Sequence, residues 1–286
     1  MKKLLVLLLL LVAAFVGLIM AAPLVLDSEK LKADFTNKLE EATGHQVFLD
    51  GDFTISVFPK PAFVADKIRI LNSEKGKKEN LLTAESIEAE LDLTSFLFGQ
   101  AEIKSAVLHK PEIFVEVLPN GDINWMLDAI RLADISRQVV YHDISISFSK
   151  IDIVDGKLNF TDTSSGIEHT YTGIDGEFTA RTKKGPFRFD GNMDFLGIRS
   201  NLAILLEKIE EDAAAPFNVM ISSDALSSTM NISGNLLLQS KGFEVKGSIS
   251  AESSNPVNLL ENVFRNVKIP SSLSVATATS MSLLYN

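Results

Sequence analysis

Thr43-Gly-His-Gln-Val-Phe-Leu-Asp-Gly-Asp-Phe-Thr-Ile-Ser-Val-Phe-Pro-Lys-Pro-Ala-Phe-Val-Ala-Asp-Lys-Ile-Arg-Ile-Leu71 is the stretch from which the fold can be read. Gly44 stops a helix, and Val47 to Leu49 enters a strand that turns at Asp50-Gly51. Phe53, Ile55 and Val57 then alternate with Asp52, Thr54 and Ser56. A period of two sends successive side chains to opposite faces, so this strand is dry on one side and wet on the other. Pro59 and Pro61 end it, because proline has no amide hydrogen to give to a ladder. Ile68 and Ile70 open the next strand.

Upstream, Leu31, Phe35, Leu39 and Ala42 recur at helical spacing behind a capping Asp27 or Ser28, which predicts an amphipathic helix over 28–42. Gly44 suits the left-handed stop at its end. Such a helix can pack on a core, plug the end of a sheet or lie on a membrane, and the sequence leaves all three open. Before it, Lys2 and Lys3 precede an uncharged run from Leu4 to Ala22. At helical rise the run spans ~28 Å, close to the hydrocarbon thickness of a bilayer. It exceeds the usual core of a cleaved signal peptide, and a cut after Ala22 would leave Pro23 at the new terminus. A retained transmembrane anchor is the expectation. Two lysines before it and acidic residues after it orient the N-terminus to the cytoplasm, with the bulk of the chain translocated.

A hydrophobic content of 46% in 286 residues excludes a disordered chain. The net charge of −10 argues against nucleic acid, whose phosphates an acidic surface repels. Lys75, Lys77 and Lys78, interrupted by Gly76 and flanked by Glu74 and Glu79, read as a solvated loop. With no cysteine there can be no disulfide, thiolate nucleophile, zinc–thiolate site or lipidated cysteine. The four histidines, His45, His109, His142 and His169, are scattered and form no metal or catalytic spacing. No nucleophile elbow or phosphate loop is present, so no enzyme, cofactor or metal is expected.

Downstream the alternation repeats. Ile87, Ala89, Leu91 and Leu93 oppose Glu88, Glu90 and Asp92, and a turn at 98–100 leads to a strand through Ile103 and Val107. Ile113, Val115 and Val117 share the next dry face. Residues 124–132 read as a helix, with Trp125 in its core. Then come Ile144, Ile146 and Phe148; Ile151 and Ile153 before a turn at Asp155-Gly156; and Leu158 with Phe160. Asp175-Gly176 and Asp190-Gly191 mark further turns or bulges around Phe187 and Phe189. Phe217, Val219 and Ile221 follow, then Met230 with Ile232, Leu236 with Leu238, and Phe243 with Val245. Each Asp-Gly pair stands alone, which fits hairpin chemistry rather than a calcium repeat. In all, roughly fourteen strands of ordinary length are predicted. Residues 203–215 fit strand or helix equally.

Two blocks carry a family resemblance. A helix ending in Thr43-Gly44, a short strand, Asp50-Gly51 and a strand closing on Phe58-Pro59-Lys60-Pro61 form the first. Lys110-Pro111-Glu112-Ile113 followed by Asn120-Gly-Asp-Ile-Asn-Trp125 forms the second. Together they resemble the AsmA family of Gram-negative envelope proteins, most strongly up to Leu132. Looser echoes follow at Asp155-Gly-Lys-Leu158, Asp162, Gly185-Pro186, Asp190-Gly191 and the segment Asn255 to Phe264. Ile269-Pro270 and Ser280 to Asn286 are similar to the opening strand of a further unit, which suggests a shortened member or a fragment.

The resemblance implies a mainly β (α+β) fold. A transmembrane helix is followed by an elongated, curved antiparallel β-sheet, an open half-pipe with a few short helices. It divides the chain into an anchor at 1–24, an N-terminal β-groove domain at 25–136 and a hairpin-rich continuation at 137–286. It further implies a periplasmic protein anchored in the bacterial inner membrane, with phospholipid acyl chains in an apolar trough. Phe53, Ile55, Val57, Ile87, Leu91 and Leu93 are candidate lining residues in the first half. Ile113, Val115, Val117, Ile144, Ile146, Phe148, Phe187 and Phe189 extend them. Each acyl methylene moved into such a groove contributes about 0.8 kcal/mol. A regulatory or assembly factor acting on outer-membrane proteins through an exposed strand edge is the alternative. A structural envelope module is the third reading. Alternation alone leaves an open trough and a closed sandwich equivalent. About fourteen strands at ~4.8 Å give ~65 Å, too short to cross an envelope unaided.

Overall fold

In a computed structural model, the residues described are 28–56, 60–73, 76–92, 101–119, 123–124, 144–180, 182, 184–195, 197–210, 213–238 and 243–253. The expected anchor at 4–22 lies outside them, as do Val57, Leu93, the turn at 98–100, Trp125 with the rest of the helix expected to 132, and everything after Ser253. Among the described residues no helix is long and apolar enough to cross a membrane.

The predicted helix is present as α1 (Ser28–Thr43), ended by Gly44 at φ 76°. The Gly44 amide donates to the Glu40 carbonyl, and the Glu40 carboxylate accepts the Val47 amide at 3.0 Å, tying helix to first strand. Thirteen strands then form one sheet. They are β1 (Val47–Leu49), β2 (Phe53–Ser56), β3 (Ala62–Leu71), β4 (Asn80–Leu91), β5 (Ala101–His109), β6 (Glu112–Val117) and β7 (Ile144–Asp162). β8 (Ile167–Ala180), β9 (Phe187–Phe195), β10 (Ile198–Leu206), β11 (Ala214–Ser223), β12 (Ser228–Leu238) and β13 (Phe243–Ser253) complete it.

The sheet is curved and mixed, which corrects the expectation of a purely antiparallel one. β5 and β6 both run parallel to β7, while the other pairings are antiparallel. The stretch 118–143 between β6 and β7 is long enough to return the chain to the starting end, as a parallel connection requires. β1 and β2 both pair with β3, and β5 and β6 both pair with β4 on one side and with β7 on the other. Each couple is therefore one ribbon broken in the middle, so thirteen strands occupy eleven places. Ten spacings of ~4.8 Å give ~48 Å, shorter than the ~65 Å expected from counting strands separately.

The breaks are the second correction. Asp50-Gly51 and Asp155-Gly156 are not hairpin turns. Asp50 and Gly51 separate two pieces of one ribbon, with their amides bonded to the carbonyls of Lys67 and Asp66. Asp155-Gly156 lies inside the 19-residue β7, and Asp175-Gly176 and Asp190-Gly191 lie inside β8 and β9. The register explains why. Ala65 pairs with Ile87 and Ile68 with Ala84, so three residues rather than two separate successive buried positions on both β3 and β4. Lys67, Lys110 and Asp155 have left-handed φ values of 52°, 46° and 54° at this level. Glu85 bridges Lys110 at 2.7 Å, and Lys110 donates its amide to Val154 beside Asp155. One transverse line of extra residues thus crosses neighbouring ribbons, all four of these side chains being charged and exposed. An extra residue in each ribbon up to β8 at the same level returns the apolar side chains to the same face beyond the line, and the line ends there, since β9 to β13 pair without a register shift. Gly173, at φ 60°, continues the irregularity into β8, where register shifts separate Thr172 from Asp175.

The main core lies between α1 and the first ribbons. Phe35 is fully buried, with its ring 6.0 Å from Phe53 and 5.7 Å from Phe63. Leu39, Val47, Leu49, Ile68, Ile87, Ala89, Leu91 and Ile103 fill the space around them. Phe35→Ala should cost about 3–5 kcal/mol, since the rings of β2 and β3 cannot collapse into the void. Urea unfolding of the full-length chain measures this, and a loss below 1 kcal/mol would contradict the role of α1 as the lid of this core.

Candidate functional site: the uncovered apolar face

Pairing partners stand side by side on one face, so the register traces rows across the whole sheet. Ile55, Phe63, Ala89, Ala106 and Ile151 form one row. It continues without a polar interruption through Phe178, Phe189, Ile204, Val219, Ile232 and Ile249. A flanking row runs from Ile153 through Gly176, Gly191, Leu202, Ile221, Met230 and Ala251. At the glycine pair, a Cβ on Gly191 would sit 2.2 Å from the Asp175 carbonyl and 2.9 Å from the Phe189 ring. The ribbons approach closely there, and the ring takes the place of a side chain over the gap.

The other face is wet. Glu88, Asp152, Glu177 and Asp190 stand in register on it, next to Glu90, Lys150 and Arg188. Lys150 bridges Glu177 at 2.8 Å and Lys60 bridges Glu90 at 2.8 Å. Farther along, Asn218 and Asn231 pair at 2.8 Å. These surface pairs contribute little to stability individually and mark the solvent side.

The apolar face changes environment along its length. Under α1 it is closed, and Phe63, Ala65, Ala89 and Ile103 are inaccessible there. The helix packs on β1, β2 and β7. From β10 onward no second layer covers the face among the described residues. Ile204, Val219, Ile221, Met230 and Ile232 are half-buried, Val245 is 36% exposed and Ile249 48% exposed. One margin is closed locally by Ile209, whose amide donates to the Lys184 carbonyl and whose side chain packs on Ala215, Leu236 and Phe217. This settles the segment 203–215. It is strand to Leu206, a short irregular stretch whose Ile209 folds inward, and strand again from Ala214.

The sequence-derived lining residues fall in three environments. Phe53, Ile55, Ile87 and Leu91 lie on the apolar face beneath or beside α1. Ile113 and Val115 are half-buried on that face beyond the transverse line, opposite Leu158 and Phe160, and Val117 pairs with Asp162. Phe187 and Phe189 belong to the stretch that α1 does not reach, and Ile144, Ile146 and Phe148 are placed by backbone in β7. Phe178, Ile204, Val219, Ile232 and Ile249 were not singled out as lining, although their alternation within each strand was the available signal. Among the described residues no group of metal-ligating side chains is present.

The second sequence block has a structural role. Asn124 is buried, its amide nitrogen donating to the Phe114 carbonyl and its Oδ1 accepting the Glu116 amide at 3.0 Å. Glu116, 1% exposed, turns its carboxylate to the amides of Lys77 and Lys78 at 2.7 and 3.1 Å. Asn72 links the two, accepting from Asn124 and donating to Glu116. The basic loop is therefore pinned through its backbone while Lys77 and Lys78 stay exposed, and Glu116 gave no signal in the sequence. Asp162, also inaccessible, is raised by burial and lowered more strongly by the hydroxyls and amides of Ser164 and Ser165, which hold it below the ordinary carboxylate range.

Glu116→Ala leaves two backbone donors without an acceptor, and about 2–4 kcal/mol of stability should be lost. Trypsin cleavage at Lys77 and Lys78, followed by mass spectrometry, should accelerate in the variant. An unchanged rate together with unchanged unfolding would contradict the pinning.

Comparison with known proteins finds no match among curated proteins and none among solved structures. The sequence model of the AsmA family matches residues 1–192, which takes in α1, β1 to β8 and part of β9. That is well over half of the 286 residues, and the chain belongs to the AsmA family.

Proposed function

We propose that this chain binds or conducts phospholipid along its apolar face, as an inner-membrane-anchored periplasmic protein serving outer-membrane lipid homeostasis and envelope biogenesis. The single observation that carries the reading is the continuation of the apolar rows past α1 onto β10 to β13, where Val245 and Ile249 remain exposed on the same face as the core. Such a contiguous uncovered stripe is unusual unless something apolar covers it. Acyl chains fit because they need no directional partner, and none is offered on these rows. Neighbouring positions along a row are nearly equivalent, so a chain exchanges between them at little cost. Family membership supports the same reading.

Val219 and Met220 are adjacent on β11 and face opposite ways, which gives a matched pair. Val219→Glu places a carboxylate in the apolar row, whereas Met220→Glu places it on the wet face. Lipid retained by the full-length chain after purification, counted by mass spectrometry, should fall roughly tenfold in the first variant, a difference of ~1.4 kcal/mol. The second should retain as much as the native chain. Equal retention in both variants, or none in the native chain, would overturn the proposal.

A further inference from the structure

The apolar face ends at one margin in hydroxyls. Ser223 pairs with Ser228 and Ser228 with Ser253, and Ser200 stands one residue beyond the Asn201–Ser222 pair, opposite Ser223. Alternation places all four on the apolar side of β10 to β13, at the same ends of these strands. Ser200 and Ser223 are 3% and 6% exposed. Ser200 donates to the Ile198 carbonyl, whereas the Ser223 Oγ has no hydrogen-bond partner among the described residues. A buried hydroxyl without a partner is costly, and it points to a group that the described residues do not supply.

The opposite margin differs. Ala215, Leu236 and Val245 continue the apolar surface there, with Ile209 packed over Ala215 and Leu236 and Val245 left exposed. From Ala215 to Ile221 the apolar width along β11 is six residue steps, or ~20 Å. One leaflet of hydrocarbon is ~15 Å thick, so an acyl chain laid along the strands spans this width with its polar end at the serines.

Charge narrows the class of lipid. Residues 220–231 and 247–253, which carry three of the four serines, contain no lysine or arginine. Asp224 follows Ser223 and Glu252 precedes Ser253, both exposed. Arg199, beside Ser200, is already engaged by Asp175 and Asp194. Among the described residues, an anionic headgroup would meet acids and no free cation here.

We propose that the row Ser200, Ser223, Ser228 and Ser253 is the polar seat of the trough, taking the ester region of a lipid with a zwitterionic headgroup whose acyl chains run along the strands. This rests on the lipid reading above and adds an orientation and a headgroup preference. Two single-cysteine forms of the full-length chain test it, Ser228→Cys at the seat and Val245→Cys at the far margin, with Met220→Cys on the outer face as background. Each carries a bimane label and is purified in detergent. Each is then loaded with phosphatidylethanolamine bearing a nitroxide on the headgroup or at the acyl terminus. The headgroup nitroxide should quench position 228 at least threefold more than 245, and the tail nitroxide should do the reverse. Quenching at both positions without this polarity, or with it inverted, overturns the orientation while leaving lipid binding intact. Quenching no greater than at 220 overturns the lipid reading as well. In competition on the native chain, phosphatidylethanolamine should exceed phosphatidylglycerol severalfold, and Ser223→Ala should lower retention of both about fivefold while leaving their ratio unchanged. Equal or greater retention of phosphatidylglycerol overturns the headgroup assignment.

Discussion

One constraint governs this structure: every ribbon of a single sheet must keep its apolar side chains on one side, in register with its neighbours, across eleven places. A slip of one residue in any strand would turn its whole apolar set into water. The row from Ile55 through Ala106 and Phe189 to Ile249 shows that no such slip occurs. The transverse line at Lys67, Glu85, Lys110 and Asp155 is where the constraint is most visible. There each ribbon up to β8 gains one residue at the same level, so the phase of these neighbours changes together and the dry face survives. Charged side chains suit these positions because the extra residue projects to solvent.

Covering the dry face is the second half of the problem. At the N-terminal end α1 does it, and the three rings of Phe35, Phe53 and Phe63 mark the contact. Toward β13 the sheet keeps the same pattern with nothing described above it except Ile209 at one margin. Among the described residues, the pattern continues where the cover does not, whereas in a sandwich both inner faces close on each other.

Much of this was legible in the sequence, and the failures have physical causes. The helix and its Gly44 stop were readable because spacing and cap agree, and Phe53, Ile55, Ile87 and Leu91 were readable as one face by simple alternation. Asp50-Gly51 and Asp155-Gly156 misled because a phase break with Asp-Gly looks the same as a two-residue hairpin when strands are read singly. Only the pairing of Ala65 with Ile87 and Ile68 with Ala84 separates the two. The parallel pairing of β5 and β6 with β7 was hidden because chain direction leaves no trace in alternation. Glu116 was missed because a buried carboxylate held by backbone amides looks like any exposed glutamate in a strand of alternating residues. The trough beyond α1 was under-read for a related reason: Val219, Ile232 and Ile249 form one row only once three strands are set side by side.

The central claim is that the apolar face past α1 stays open to a lipid chain. Cysteine scanning along 217–222 in the otherwise cysteine-free full-length chain addresses it directly, by maleimide reactivity with and without added phospholipid. Positions 219 and 221 should react in the lipid-free state and become protected when lipid is added, while 218, 220 and 222 react equally in both and 217, packed by Ile209, serves as the protected reference. Positions 219 and 221 staying as unreactive as 217 in both states would mean that the face is sealed by protein, and would contradict the account.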